Sequence, residues 1–257
     1  MAKWWRITNQ GNKTAEVQIY GVISDEKWYE DDVTPNEFKA ELDALGDIDL
    51  LNVHINSPGG SVFAGFTLYN ILKRHPAAVA THVDGMAASI ASVVLQGADE
   101  RVMATNGMVM IHNPMAIALG YAEDLRKVAD DLDKIREPIV KSYSDRVSVS
   151  DDEVKAMMDA ETWMTAEEAV EKGFADRIDE STFASATAKG SSLVVNGMTF
   201  DVGRFKNFDA SRFGITATAQ PAPRPQQDPE PPPADPIDYS EYETALQNTQ
   251  EVLDKAQ

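Results

Sequence analysis

No cysteine occurs among the 257 residues of this chain. Disulfides, thiolate metal sites and a cysteine nucleophile are therefore excluded together, and the absence fits a reducing compartment. Basic residues are also scarce: 23 Lys+Arg stand against 42 Asp+Glu, a formal net charge of −19. Phosphate recognition needs clustered Lys and Arg, so neither nucleic acid nor an anionic membrane is expected as a partner. Strictly apolar stretches fall far short of the roughly 20 residues a membrane helix needs. The opening residues Met1-Ala2-Lys3-Trp4-Trp5-Arg6 lack the apolar region of a signal peptide. No pair of histidines has metal-ligand spacing, so no metal and no cofactor is expected. These exclusions leave a cytoplasmic, acidic, globular protein.

Proline is sparse until late in the chain, and then eight of the 13 fall between Pro221 and Pro236. That density suits an extended polyproline-type linker and neither a helix nor an interior strand. The expected organisation is a folded domain over 1–180, a flexible segment over 181–220, a proline-rich linker over 221–236 and a short amphipathic tail over 237–257. Ser, Thr, Ala and Gly dominate the start of the flexible segment, with a possible strand at Ser192-Leu193-Val194-Val195. Residues 1–180 hold 17 basic and 32 acidic side chains (−15) and the remainder 6 and 10 (−4), so the acidity belongs to the domain. Subunits this acidic should assemble in a salt-sensitive way.

Within the domain, β-branched runs alternate with helical patterns, which places the chain in the α/β class. Strands are expected at Ala15–Tyr20, Leu50–Asn56, Val79–Val83 and Met108–Ile111. Thr34-Pro35-Asn36-Glu37 and Thr165-Ala166-Glu167-Glu168 are capping boxes that open helices. From Tyr121 a long helix carries Leu125, Val128, Leu132, Ile135 and Ile139 as one apolar stripe, which Pro138 should kink or interrupt.

Acyl transfer to a serine requires a hydroxyl, an imidazole, an acid to orient it and two N–H groups for the oxyanion. Ser89 lies among small residues in Gly85-Met86-Ala87-Ala88-Ser89-Ile90-Ala91, between a strand and a helix start, where the Ile90 N–H can face an oxyanion. A tightly packed small-residue helix explains the same run, and Ser92 lies one turn further in. Gly59-Gly60 follows a strand and can present an unshielded Gly60 N–H, although an ordinary turn needs the same glycines. His112 ends a strand, whereas His54, His75 and His82 sit where structural roles suffice.

The order of Ile55-Asn56-Ser57-Pro58-Gly59-Gly60-Ser61-Val62, Gly85-Met86-Ala87-Ala88-Ser89, Met110-Ile111-His112-Asn113-Pro114 and Met164-Thr165-Ala166-Glu167-Glu168-Ala169 is far more specific than any one motif. Over about residues 15–180 the chain resembles the proteolytic subunit of the Clp protease. The resemblance implies a Clp-protease/crotonase-like superhelical repeat of β-β-α units and a homo-oligomeric ring that cleaves polypeptides. It makes Ser89 the nucleophile, His112 the base, and the Gly60 and Ile90 N–H groups the oxyanion hole. A strand just after the glycines (Ser61, Val62) and the segment Asn113, Pro114, Met115 would clamp an extended peptide. Where the family carries Asp, this chain aligns Glu161, with Asp159 as the rival acid.

Two departures from the family bear on biology. The segment after the histidine, Met115 to Gly120, has one glycine where the family has several, and the chain continues about 75 residues further. Together with Trp-Met-Thr-Ala-Glu-Glu-Ala, these features look more like the phage and prophage Clp-related head maturation proteases, which process scaffold and capsid proteins. On that resemblance the enzyme would work in the host cytoplasm or inside the prohead, its tail serving as a scaffold-like segment. The alternatives are a general Clp-type degradation subunit, a non-catalytic Clp-like assembly protein and a crotonase-fold acyl-transfer enzyme. No G-x-x-x-x-G-K-[ST] motif is present, so unfolding by an ATPase would need a separate partner.

Overall fold

A computed structural model describes residues 4–25 and 34–217. The chain divides into two units, Met1–Ala219 and Gln220–Gln257. The second unit, with the expected proline-rich linker and amphipathic tail, lies outside the described residues.

The fold is mixed α/β, as the alternation of patterns requires. Strands β1 (Trp5–Gly11) and β2 (Thr14–Tyr20) form an antiparallel hairpin. From β2 the sheet runs in parallel through β3 (Leu50–Ser57), β4 (Ala78–Ala88), β5 (Glu100–Ala104) and β8 (Arg177–Asp179). Helix α1 (Pro35–Asp43) starts at the first capping box, where the Thr34 N–H donates to Glu37 Oε2 at 2.8 Å. Helix α2 (Val62–Lys73) and the short α3 (Ile90–Leu95) follow β3 and β4. The second capping box opens α6 (Ala166–Glu171).

β4 is longer than expected, and its two halves have different neighbours. Ala80–Val83 pair with β5, while Met86–Ala88 pair in parallel with β6 (Met108–Ile111). β7 (Thr162–Met164) then adds antiparallel to β6. All four residues of β6 are buried, and they alternate between two cores. Val109 and Ile111 face the main core, whereas Met108 and Met110 face a second cluster with Met86 and Trp163. A strand covered on both faces reads as a continuous apolar run, which is what Met108-Val109-Met110-Ile111 shows.

The second cover comes from the segment expected to be flexible. Residues 186–217 fold into a sheet of β9 (Ala186–Lys189), β10 (Ser192–Val195), β11 (Met198–Asp201) and β12 (Thr216–Ala217). β10 is the strand the sequence suggested. Asn196-Gly197 joins β10 to β11 with φ of +50° and +79° over a two-residue loop, the type I′ hairpin geometry. Leu193, Val195, Phe200, Val202, Phe205, Phe213 and Ile215 bury against Met86, Met108, Met110 and Trp163. The flexible expectation failed because short half-buried strands with Ser and Thr outward have a loop-like composition.

Helix α4 (Ala122–Ser144) runs through Pro138 without interruption. Pro138 lies on an exposed face, where water can pair with the carbonyl that loses its amide partner. The apolar stripe of α4 is buried only at its C-terminal end, at Ile139, and Leu125 is 44% exposed. Helix α5 (Asp151–Asp159) packs beside it and leads into β7.

One buried cation ties the parallel sheet to the helices. Arg101 on β5 is 2% exposed; it pairs with Asp176, and its Nη1 donates to Gln96 Oε1 (2.6 Å) and to the Gly173 carbonyl (2.8 Å). Arg101→Met leaves Gln96 Oε1 and the Gly173 carbonyl without their donor, a cost of about 1–3 kcal/mol for an unsatisfied buried group, while Asp176 is 37% exposed and keeps Arg146 at 3.6 Å. Urea denaturation of the two proteins should show that loss as a lowered midpoint at unchanged slope.

Candidate active site

The pairing of three strands decides which side chains meet. Ala88 on β4 is opposite Met110 on β6, and Ile111 on β6 is opposite Thr162 on β7. Continuing the β6–β7 register by one residue sets His112 opposite Glu161, while Ser89 is the residue that follows Ala88. All three therefore emerge at the same end of adjacent strands.

Ser89 occupies a tight strand-to-helix turn with φ +56° and ψ −130°, a conformation that costs a non-glycine residue on the order of 1–3 kcal/mol. The Ser89 N–H donates to the Met110 carbonyl at 2.9 Å, and the Ser92 N–H donates to the Ser89 carbonyl at 3.0 Å, so both sides of the turn are held. Ser89 Oγ lies 2.8 Å from His112 Nε2. With Nδ1 protonated, the hydroxyl donates to Nε2, the contact a serine nucleophile needs with its base. Ser92 is fully buried below this turn, where its hydroxyl donates to the Ser89 carbonyl (2.5 Å) and pairs with the Tyr143 hydroxyl (2.8 Å).

Gly59 and Gly60 have φ of +87° and +151°, and Gly59 lies directly against this turn. A Cβ on Gly59 would sit 2.7 Å from the Ala88 oxygen and from Ser89 Cβ, and one on Gly60 would sit 2.0 Å from the Ile23 oxygen. Only glycine fits either place. The bridge between Ile23 and Gly60 uses the Gly59 carbonyl and the Ser61 N–H, which in parallel pairing turns the Gly60 N–H to the opposite side. Ile90 is the first residue of α3, so its N–H has no intrahelical acceptor.

Glu161 is 8% exposed and holds φ +48°, just past the C-terminus of α5. Its Oε1 accepts from the Asn207 N–H at 2.7 Å and from Trp163 Nε1 at 3.4 Å. No direct hydrogen bond joins Glu161 to His112 among the described residues. The carboxylate acts on the imidazole through space. Burial lowers the His112 pKa below the ordinary 6.5, the Glu161 charge pulls it up, and the Arg204 charge pushes it further down. Asp159, the rival acid, points elsewhere: it accepts from Asn113 Nδ2 at 2.8 Å and pairs with Arg136 at 2.9 Å.

The strand expected at Ser61 and Val62, as one side of a peptide clamp, does not form. Ser61 caps α2 by accepting from the Ala64 N–H at 3.3 Å, and Val62 is the first helical residue. The serine hydroxyl and the φ of Gly60 end the extended run there. Asn113, Pro114 and Met115 do lead an irregular segment away from His112, and Met115 is 61% exposed. A narrow pocket beside Ser89 is lined by Val62, Ile90, Val93, Pro114, Ile139 and Tyr143.

The other histidines lie outside this site. His54 bridges Glu16 and Asp84 at 2.9 Å each and stacks on His82 with centroids 4.9 Å apart, while His75 Nδ1 accepts from the Ala77 N–H. Three residues absent from the sequence expectation do reach the site: Arg204, Phe205 and Asn207. The available signal was Phe200, Phe205, Phe208 and Phe213 within fourteen positions of a polar segment, an aromatic density that flexible chain does not need.

The model of the family described as Clp protease matches residues 3–182. An ATP-dependent Clp protease proteolytic subunit of Bacteroides fragilis is 40% identical over 153 residues, covering 58% of this chain and 74% of that protein. The protein of that name from Bacteroides thetaiotaomicron is 38% identical over 153 residues, covering 58% and 70%. ATP-dependent Clp protease proteolytic subunit 1 of Streptomyces avermitilis is 33% identical over 156 residues, covering 59% and 72%. A serine hydroxyl against an imidazole, on a scaffold matched over 180 residues (3–182), leads to one conclusion: the chain belongs to the Clp protease family and is a serine peptidase.

Proposed function

We propose that this chain is a Clp-type endopeptidase that degrades polypeptides threaded as extended strands, with Ser89, His112 and Glu161 as its catalytic triad. The 2.8 Å contact between Ser89 Oγ and His112 Nε2 carries the reading. Ser89 Oγ attacks the scissile carbonyl while His112 Nε2 takes its proton. The Gly60 and Ile90 N–H groups hold the oxyanion, and the Glu161 carboxylate steadies the imidazolium. His112 then protonates the leaving amine, and a water repeats the sequence on the acyl-enzyme. The narrow, mostly apolar pocket beside Ser89 suits no more than a small apolar side chain at the residue that supplies the acyl group. The parallel ladder with β6 branching from the second half of β4 supports reading the fold as a superhelix of β-β-α turns.

The relatives' shared name favours general protein degradation, with a separate ATPase delivering substrate, over phage head maturation. The maturation reading keeps one specific support, the added sheet at 186–217 beyond the family-matched span.

A homo-oligomer follows from the uncovered apolar surface. Met115, Ile117, Leu119, Tyr121 and Leu125 are exposed in succession from the active-site segment into α4, where they meet the bare half of its stripe. Water contact with this much apolar side chain is unfavourable, and a second copy would remove it. Sedimentation should show an assembly in the wild type, and the double substitution Ile117→Asp, Leu119→Asp should shift it to smaller species.

Hydrolysis of an unfolded protein such as casein tests the activity. Ser89→Ala should lower the rate by at least about 10³-fold with the fold retained. The base must be neutral, so kcat/KM should fall with acid along a limb whose midpoint lies below 6.5, the ordinary imidazole value. Glu161→Gln removes the charge that raises the His112 pKa, so its acid limb should move to lower pH while kcat drops by roughly 10²–10⁴-fold. Asp159→Asn should leave the acid limb in place. An acid limb moved by Asp159→Asn and unmoved by Glu161→Gln would reassign the acid.

A further inference from the structure

One four-residue segment, Arg204–Asn207, contacts Glu161, His112 and the residue before the glycine pair, and lies outside the family-matched residues 3–182. The Asn207 N–H donates to Glu161 Oε1 at 2.7 Å, and Asn207 Nδ2 donates to the Ala160 carbonyl at 2.6 Å. The Phe205 ring meets the His112 ring edge to face, with centroids 6.0 Å apart, and also packs on Trp163 at 5.4 Å. Arg204 Nη2 donates to the Pro58 carbonyl at 2.9 Å, immediately before the glycine pair, and its guanidinium lies 4.8 Å above the Phe205 ring.

We propose that Arg204–Asn207 is a positioning element of the active site, supplied by the added C-terminal sheet, which holds the Glu161 carboxylate and the His112 ring in their catalytic arrangement. This inference rests on the triad reading given above.

The chemistry of the acid explains why such an element is needed. A glutamate is one methylene longer than an aspartate and has one more rotatable bond, so it loses more freedom when held against an imidazole. The backbone of Glu161 stands in the left-handed region, which changes the direction from which its side chain reaches the site. Two N–H donors on Oε1 select one carboxylate orientation, from which the charge acts on the imidazole through space. A charge-assisted bond from a backbone N–H is a strong constraint of this kind. The backbone that supplies it is held by Asn207 Nδ2 on Ala160 and by the Phe205 contacts. The longer acid and the additional sheet thus form one device: the domain matched by the family lacks the Asn207 N–H that fixes Glu161.

The segment also reaches the histidine electrostatically. The two charged groups that act on His112 are Glu161, which raises its pKa, and Arg204, which lowers it. Loss of the Arg204 charge therefore moves the acid limb of kcat/KM to higher pH, a change that packing alone does not produce.

The test uses the full-length protein, peptide hydrolysis and a check of folding by thermal melting. Asn207→Pro deletes the N–H and should lower kcat by about tenfold or more with KM within about twofold, as expected for losing a hydrogen bond to a charged group. Asn207→Ala keeps that N–H but loses the Nδ2 bond to Ala160, so its kcat should fall less than that of Asn207→Pro. In a Glu161→Gln background the proline substitution should add little further loss, because the effect acts through that carboxylate. Arg204→Gln should raise the acid-limb midpoint, and Arg204→Lys should return it towards the wild type. Should Asn207→Pro fail to fold, the Arg204 pair decides. A folded Asn207→Pro enzyme with wild-type kcat, or an Arg204→Gln enzyme with an unmoved acid limb, overturns the proposal. If either result accompanies a Glu161→Gln enzyme that has lost its kcat, only the positioning role falls and the triad stands. If Glu161→Gln is itself fully active, the acid assignment underneath has failed.

Discussion

The register of three short strands governs this molecule. β6 lies between the second half of β4 and β7, and pairing at Ala88–Met110 and Ile111–Thr162 brings Ser89, His112 and Glu161 to one end. A slip of one residue would turn His112 to the opposite face of the sheet and leave Ser89 without its imidazole. The register is secured because both faces of β6 are buried in different cores: Val109 and Ile111 in one, Met108 and Met110 in the other. Hydrophobic burial is non-directional, yet here it has a directional result, since the alternation admits only one placement of the strand.

The second of those cores exists only because the chain continues past the family-matched span. The sheet at 186–217 covers Met108, Met110 and Trp163, and the segment leaving it crosses the acid, the histidine and the approach to the glycine pair. An insertion near an active site usually adjusts substrate access. This addition also supplies hydrogen bonds to Glu161 and Ala160 beside His112. The strain at Ser89 and Glu161 is consistent with these contacts, because sparsely populated backbone angles persist only where the surroundings over-determine them.

Much of this was legible in the residues. The capping boxes at Thr34 and Thr165, the strand ending at His112 and the serine at a strand-to-helix turn all express local rules, and local rules survive folding. Four features were not legible. The Ser192–Val195 strand was readable while its sheet was not, because Ser and Thr on outward positions give strands the composition of loops; the Asn196-Gly197 dipeptide is the one local hairpin signal there. Ser61 and Val62 were expected as an extended clamp, whereas a serine three residues ahead of an amide caps a helix, and the cap prevailed. The stripe on α4 records an apolar face, but periodicity does not say whether the same chain covers it. Asn207 was invisible for a deeper reason, since a backbone N–H carries no sequence signature.

The central claim is that the strained turn presents an activated serine oxygen to an imidazole. Covalent labelling with a fluorophosphonate probe, followed by peptide mapping, addresses it most directly. The account predicts a single phosphonylated peptide modified at Ser89, lost in both Ser89→Ala and His112→Ala. Labelling that persists in Ser89→Ala, or a folded and assembled wild type that takes no label, would contradict it.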